Sequence, residues 1–189
     1  MTLDGLVLED SVDASRRRSG ATPMMNESQF ELLYRKMSGG VWSYLFRMTG
    51  DEATSDDLLQ KTFMRYLRSA AVLSSDEHVR RYVYRIATNV AMDHFREIKR
   101  ERERSEIPAV PQRRVDRGGL GYDMMRVFSE LKPQERALLW LAHVEESDHS
   151  EISEALGVRP KSVRVLLFRA RKKLAALLES RGLAPRTKP

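Results

Sequence analysis

The chain of 189 residues contains no cysteine. That absence excludes a disulfide framework, a thiolate nucleophile and any zinc or iron–sulfur site built on cysteine. Long apolar runs are missing too: no stretch approaches the roughly 20 residues needed to span a bilayer. The first residues, MTLDGLVLEDSVDASRRR, place acids before arginines and lack an apolar segment, so they do not read as a secretory signal. The histidines His78, His94, His143 and His149 stand at no ligand spacing such as HExxH. Gly118-Gly-Leu-Gly121 follows no strand and precedes no Lys-Ser/Thr, which makes it a poor phosphate loop. No catalytic residue, metal ligand or cofactor is therefore expected, and no membrane insertion. The expected setting is soluble, reducing and cytoplasmic.

What the chain has is charge, unevenly placed. Lys and Arg number 33 against 27 Asp and Glu, a net +6. Residues 80–117 hold 11 bases and 6 acids, and residues 159–189 hold 10 bases and one acid. Between them, 118–158 hold 3 bases and 8 acids; before them, 26–79 hold 6 bases and 8 acids. Two basic blocks parted by acidic ones are the footprint of a polyanion partner. Solvated helix faces are the alternative, and position on the helices must decide.

Residues 1–25 show no sustained periodicity and end in Ser-Gly-Ala-Thr-Pro, which reads as a disordered tail. From Asn26 the pattern is helical, with Phe30, Leu33, Tyr34 and Met37 on one face and an interruption expected at Gly39-Gly40. Trp42, Leu45, Phe46 and Met48 continue it to Thr49-Gly50-Asp51. Leu58, Leu59, Thr62, Phe63, Tyr66 and Leu67 mark a helix ending near Ser69. Residues 70–78 read as a loop with a cap at Ser75 or Asp76, and a long helix follows on Val79, Tyr82, Val83, Ile86, Ala87, Val90, Met92 and Phe95. Residues 104–121 carry prolines, glycines and no apolar stripe, and so form a linker between domains 26–103 and 122–180. In the second domain Pro133 suits the first turn of a helix over about 134–145. Asp148 and Glu151 form a capping box, Gly157 ends a short helix, and Pro160 starts a final one running to about Ser180. No segment alternates with period two. The expected fold is all-α: two small helical domains, a flexible linker and a C-terminal tail, 181–189.

A short helix, a glycine turn and a second helix make a helix-turn-helix signature over Glu151–Val163. On the final helix Val163, Leu166, Leu167, Ala170, Leu174, Leu177 and Leu178 gather on one side. Lys161, Arg164, Val165, Phe168 and Lys172 lie opposite. Cations beside exposed apolar groups suit a DNA major groove, where they meet phosphates, guanine edges and thymine methyls. The alternative is a helix whose second face packs on a protein.

At these residues the sequence resembles a known family, the extracytoplasmic-function group of bacterial sigma-70 factors. Glu151-Ile-Ser-Glu-Ala-Leu-Gly157 and Pro160-Lys-Ser-Val-Arg-Val-Leu-Leu-Phe-Arg-Ala-Arg171 are similar to its region four. Asp56-Asp-Leu-Leu-Gln-Lys-Thr-Phe63 resembles the family's "E-D-L-V-Q-E-T-F" segment, and Tyr82–Arg96 resembles its "W-L-x-x-I-A-x-N-x-x-x-D-x-x-R". Three motifs in order, over about 30–180, are a far more specific signal than one helix-turn-helix.

The resemblance implies partners and roles. Asp56, Asp57, Leu58, Gln60 and Phe63 would dock on the clamp helices of core RNA polymerase, with Leu58 and Phe63 divided between that interface and the core. Region four would reach the polymerase flap. Asn89 would help receive a base flipped from the minus-ten element, the loop 70–78 completing the pocket. Arg80, Arg81, Arg85 and Arg96 would contact nearby phosphates, or else pair locally with Asp93 or Glu97. Lys161, Arg164, Val165, Phe168, Arg169 and Lys172 would face the minus-thirty-five element, Arg169 through a phosphate. An anti-sigma factor is common in the family, but no residue here identifies one. The chain departs from the pattern at Lys61 (usually an acid), at Tyr82 (usually Trp) and at Val165-Leu166 (usually Ser-Arg), so its promoter sequence cannot be copied from relatives. The rival reading is a two-domain helix-turn-helix regulator that is not a polymerase subunit; it leaves the Asp56–Phe63 and Asn89–Arg96 motifs without a purpose.

Overall fold

The computed structural model describes residues 26–69, 75–104 and 120–183, with side chains from Met124 onward in the last segment. The expected tail 1–25, residues 70–74 of the expected loop, residues 105–119 of the expected linker and the last six residues lie outside this set. Seven helices and no strand occur among the described residues: α1 (Glu27–Thr49), α2 (Glu52–Arg68), α3 (Asp76–Arg104), α4 (Leu120–Ser129), α5 (Pro133–His143), α6 (His149–Leu156) and α7 (Pro160–Glu179).

Local chemistry sets most of the boundaries. The Asn26 side chain accepts from the Gln29 amide at 2.8 Å and the Gln29 side chain returns to the Asn26 amide at 3.1 Å, which opens α1. Gly50, at φ 74°, closes it in the left-handed region. Asp51 then caps α2, its carboxylate accepting from the Thr54 amide at 2.8 Å. Thr49 and Ser55, both buried, bond to each other at 2.9 Å and to backbone carbonyls, so this tight corner leaves no hydroxyl stranded. Ser75 accepts from the His78 amide ahead of α3. The helix starts at Asp76, so 76–78 are helical where a loop to residue 78 was expected.

The interruption expected at Gly39-Gly40 does not occur; α1 runs through both glycines. Glycine inside a helix costs about 1 kcal/mol relative to alanine. Met37, Val41, Tyr44 and Leu45 on either side are buried and outweigh it. Gly40 also has a packing reason: a β-carbon there would stand 3.0 Å from the Tyr84 hydroxyl of α3.

In the second half the signals were local and the structure follows them. Pro133 is in the first turn of α5. Asp148 and Glu151 complete a reciprocal cap at 2.9 and 3.1 Å, and Gly157 takes φ 63° after α6. Helices α5, α6 and α7 pack on one another through Leu138, Leu141, Ile152, Ala155, Val163 and Leu167. A smaller cluster of Leu131, Leu139 and Ala170 joins α4 to this group.

The core does not stop at the linker. Apolar residues of α5, α6 and α7 belong to the same continuous cluster as those of α1, α2 and α3. Tyr44 meets Trp140 with ring centroids 5.8 Å apart. Arg136 of α5, almost fully buried, donates to the carbonyl of Met48 in the last turn of α1 and lies 5.5 Å over the Phe95 ring of α3.

Candidate nucleic-acid interface

Helix α7 is positioned by its buried side. Val163, Leu167 and Ala170 are enclosed, and Leu166, Leu174, Leu177 and Leu178 are half-buried. This fixes what the other side presents. Lys161, Arg164, Val165, Phe168, Arg169 and Lys172 are all exposed, with Phe168 at 66% and Val165 at 49%. None of those four cations forms an ion pair among the described residues. Cations elsewhere on the helix behave differently: Lys173 reaches Glu135 at 2.7 Å and Arg171 donates to His143 at 3.0 Å. Among the described residues, cations without an acidic partner thus collect on the apolar-dotted outer face, while to its side Lys173 is neutralised by Glu135 and Arg171 is held by a hydrogen bond to His143.

Helix α3 carries the second basic group. At 100° per residue Arg81, Arg85, Asn89 and Arg96 fall within an arc of about 80°, with Arg80 to one side. Asn89 is exposed. The arginines are not free. Arg80 makes a two-pronged contact with the Glu145 carboxylate at 2.8 and 3.0 Å and also donates to the Glu145 carbonyl at 3.1 Å. Arg81 pairs with Glu77 at 2.5 Å and with Glu151 at 2.6 Å. Arg85 reaches Glu154 at 3.1 Å and lies over the Tyr82 ring. Arg96 pairs with Asp93, as the local alternative had it, and Arg65 joins them from α2 at 3.1 Å. Arg80 and Arg85 take their acids from the second half of the chain, and Arg81 stands between its hydrogen-bonded neighbour Glu77 and Glu151 of α6. The Glu145 side chain is only 7% exposed and also accepts from the Trp140 indole at 3.1 Å. Burial first, and this carboxylate second, push the Tyr84 phenol well above its ordinary 10.0.

Helix α2 divides the docking motif in two. Asp56, Asp57 and Gln60 are exposed, Asp56 accepting from the Trp42 indole at 2.7 Å. Leu58 and Phe63 are 2% and 3% exposed. Phe63 meets Tyr34 at 4.8 Å between ring centroids. Of the two places expected for them, interface or core, both take the core of the bundle, because every third or fourth position of α2 turns toward α1 and α3.

Sequence reasoning missed Arg136, Trp140 and Glu145, which join the halves. One signal was available for the acids. The block 118–158 is as strongly acidic as 80–117 is basic, and the two meet in space.

Two family profiles match the chain: "Sigma-70 region 2" over residues 33–101 and "Sigma-70, region 4" over 123–174. The ECF RNA polymerase sigma factor SigM of Bacillus subtilis is 30% identical over 154 residues, which cover 77% of this chain and 92% of that protein. The chain belongs to the extracytoplasmic-function sigma factors of the sigma-70 family. A second relative, ECF RNA polymerase sigma factor SigE of Mycolicibacterium smegmatis, is 29% identical over 75% of the chain, and the match spans only 58% of that longer protein. The fold matches the sigma factor RpoE of Bartonella quintana, crystallised in complex with the anti-sigma factor NepR. Its TM-score is 0.65 at 18% identity, over 80% of this chain and 98% of that one. As an ECF sigma factor the protein serves RNA polymerase in promoter recognition, a role without catalysis of its own. In this sigma factor α1, α2 and α3 make up the region-two match and α4 to α7 the region-four match. Among the described residues no helix is long and apolar enough to cross a membrane, and no cluster of acids and histidines could hold a metal ion.

Proposed function

We propose that this sigma factor binds core RNA polymerase in the cytoplasm through Asp56, Asp57 and Gln60 on α2, reads the minus-thirty-five element with α7, and captures and melts the minus-ten element along α3. Arg164, Val165 and Phe168 meet base edges and thymine methyls, while Lys161, Arg169 and Lys172 hold phosphates. On α3, Asn89 receives an unstacked base and Arg80, Arg81, Arg85 and Arg96 hold the surrounding backbone, so that the captured base offsets unstacking. Leu58 and Phe63 support the docking surface from beneath. Residues 26–103 and 122–180 act as separate readers joined by 104–121, and the partners are core polymerase, promoter DNA and, as with RpoE and NepR, an anti-sigma factor.

The observation that carries this reading is the outer face of α7: four exposed cations without an acidic partner among the described residues, interleaved with an exposed Phe168 and Val165. A face kept for solvation has no need of Phe168, and a face buried on the protein would not leave it 66% exposed. The direct test adds purified protein to core polymerase and a fragment library of the source genome, then sequences the transcripts. Start sites sharing two spaced elements are expected. Absence of promoter-specific initiation by a folded protein refutes the assignment.

A further inference from the structure

Several acids of the first three helices are neutralised at short range: Glu31 by Arg35, Asp76 by Lys36, and Asp93 by Arg65 and Arg96. Asp56 is held differently. Its Oδ1 accepts from the Trp42 indole at 2.7 Å, and among the described residues it forms no ion pair and Oδ2 meets no donor. A neutral N–H orients a carboxylate without cancelling its charge, so a whole negative charge is left facing outward. The donor is itself fixed. The Trp42 ring is half-buried and stacks on Phe46, with centroids 5.1 Å apart and planes 8° from parallel. The helices carrying the pair meet at the tight corner where buried Thr49 and Ser55 bond to each other. The bond thus ties together rigid elements 14 residues apart in the chain, whereas an exposed aspartate on a lone helix would sample several rotamers. Asp57 has no such holder: it points about 100° further round α2, and its side chain has no hydrogen bond or ion pair among the described residues. Gln60 and Leu67, both exposed, lie within about 40° of Asp56 on the side of α2 that borders α1.

We propose that Trp42 is a positioning residue of the docking surface: its indole N–H holds one oxygen of Asp56, so that the carboxylate, still charged, meets a cationic group of core RNA polymerase in a set orientation. This rests on the reading of Asp56 as a polymerase contact given above. The two neighbouring acids then act differently. Asp56 makes an oriented contact whose side-chain ordering is complete before the partner arrives, and Asp57 contributes as a mobile charge that must be ordered on binding. Ordering one such side chain in advance is worth about three- to tenfold in Kd.

The test measures the Kd of the full chain for core RNA polymerase of the source organism by biolayer interferometry. Trp42→Phe, Asp56→Ala and Asp57→Ala are compared with the parent, and Trp42→Phe is also combined with each aspartate substitution. Phenylalanine keeps a ring to stack on Phe46 and removes the N–H donor. Trp42→Phe by itself is expected to raise Kd about three- to tenfold. On Asp56→Ala the same substitution should change Kd by less than about twofold, because the group it positions is gone; on Asp57→Ala it should keep its whole effect. A packing defect at Trp42 would not distinguish the two acids, since its cost would multiply with both. A Kd for Trp42→Phe equal to that of the parent, or a loss that multiplies equally with Asp56→Ala and with Asp57→Ala, overturns the positioning role while Asp56 stays a polymerase contact. A Kd unchanged by Asp56→Ala overturns the docking role of Asp56 itself, and the role of Trp42 with it.

Discussion

Replacing Arg136 by methionine should cost this sigma factor about 3 kcal/mol of stability and loosen its two halves together. Arg136 is 8% exposed. It donates to the carbonyl of Met48 at the end of α1 and, at 3.2 Å, to the carbonyl of Leu131 just beyond α4. Both acceptors lie at helix C-terminal ends, where unsatisfied carbonyls carry partial negative charge and favour a cation. A hydrogen bond to a charged group contributes about 1.5–3 kcal/mol. Losing two of them, partly offset by the uncharged stem methionine keeps, gives the figure of about 3 kcal/mol. For a chain of this size that is a fall in Tm of roughly 6–12 °C. Urea unfolding followed in two ways checks it. Circular dichroism reports all the helices, while in a Trp42→Phe background the remaining Trp140 reports α5 alone. The parent should show coincident transitions; the Arg136→Met chain should show a lower midpoint and transitions that separate. A loss below about 1 kcal/mol with the two probes still coincident would refute the role of Arg136 as the joint.

Other perturbations probe different links. Gly39→Ala should stabilise α1 by about 0.5–1 kcal/mol, since its β-carbon meets nothing within 4 Å, whereas Gly40→Ala should gain nothing because its methyl stands 3.0 Å from the Tyr84 hydroxyl; equal urea midpoints for the two variants would contradict this. Burial, and Lys61 nearby, lower the His94 pKa below its ordinary 6.5, against smaller opposing effects of Glu97 and Asp51. The unfolded chain then binds more protons there, so stability rises with pH through the range just below 6.5 and is lost on acidification. A His94→Gln chain should show a flatter urea-midpoint profile against pH over that interval. Arg164→Ala should reduce minus-thirty-five discrimination by about 1–3 kcal/mol if the side chain reads a base, while an equal loss on every sequence, measured by transcription from variant promoters, would assign it to a phosphate.

Much of the molecule was legible because its signals are short-range. The Asp148–Glu151 cap, the Gly157 turn and the spacing from Val163 to Leu178 each lie within a few turns of chain, and the three motifs carried the family. The outer face of α7 could be read for the same reason: once the buried stripe is known, the opposite face follows. The Gly39-Gly40 interruption failed because intrinsic propensity is a weak term beside the burial of Met37, Val41 and Tyr44. Whether Leu58 and Phe63 belong to core or interface stayed open, because a motif names residues without saying which side of the helix is turned inward.

By itself, then, the sequence determined seven helices' worth of local pattern, an all-α fold, two basic faces and membership of a family. Which of those faces is open was decided only by tertiary structure. Arg80 and Glu145 are 65 residues apart in the chain, and Arg85 and Glu154 are 69. Their pairing depends on how two helical units approach across a linker, which no local rule encodes. The charge pattern hinted at it, since the acidic block 118–158 follows the basic block 80–117, but complementary charge fixes no partner until packing does. Here Arg136, Tyr44 and Trp140 supply that packing and bring the acids of the second half onto the arginines of the first.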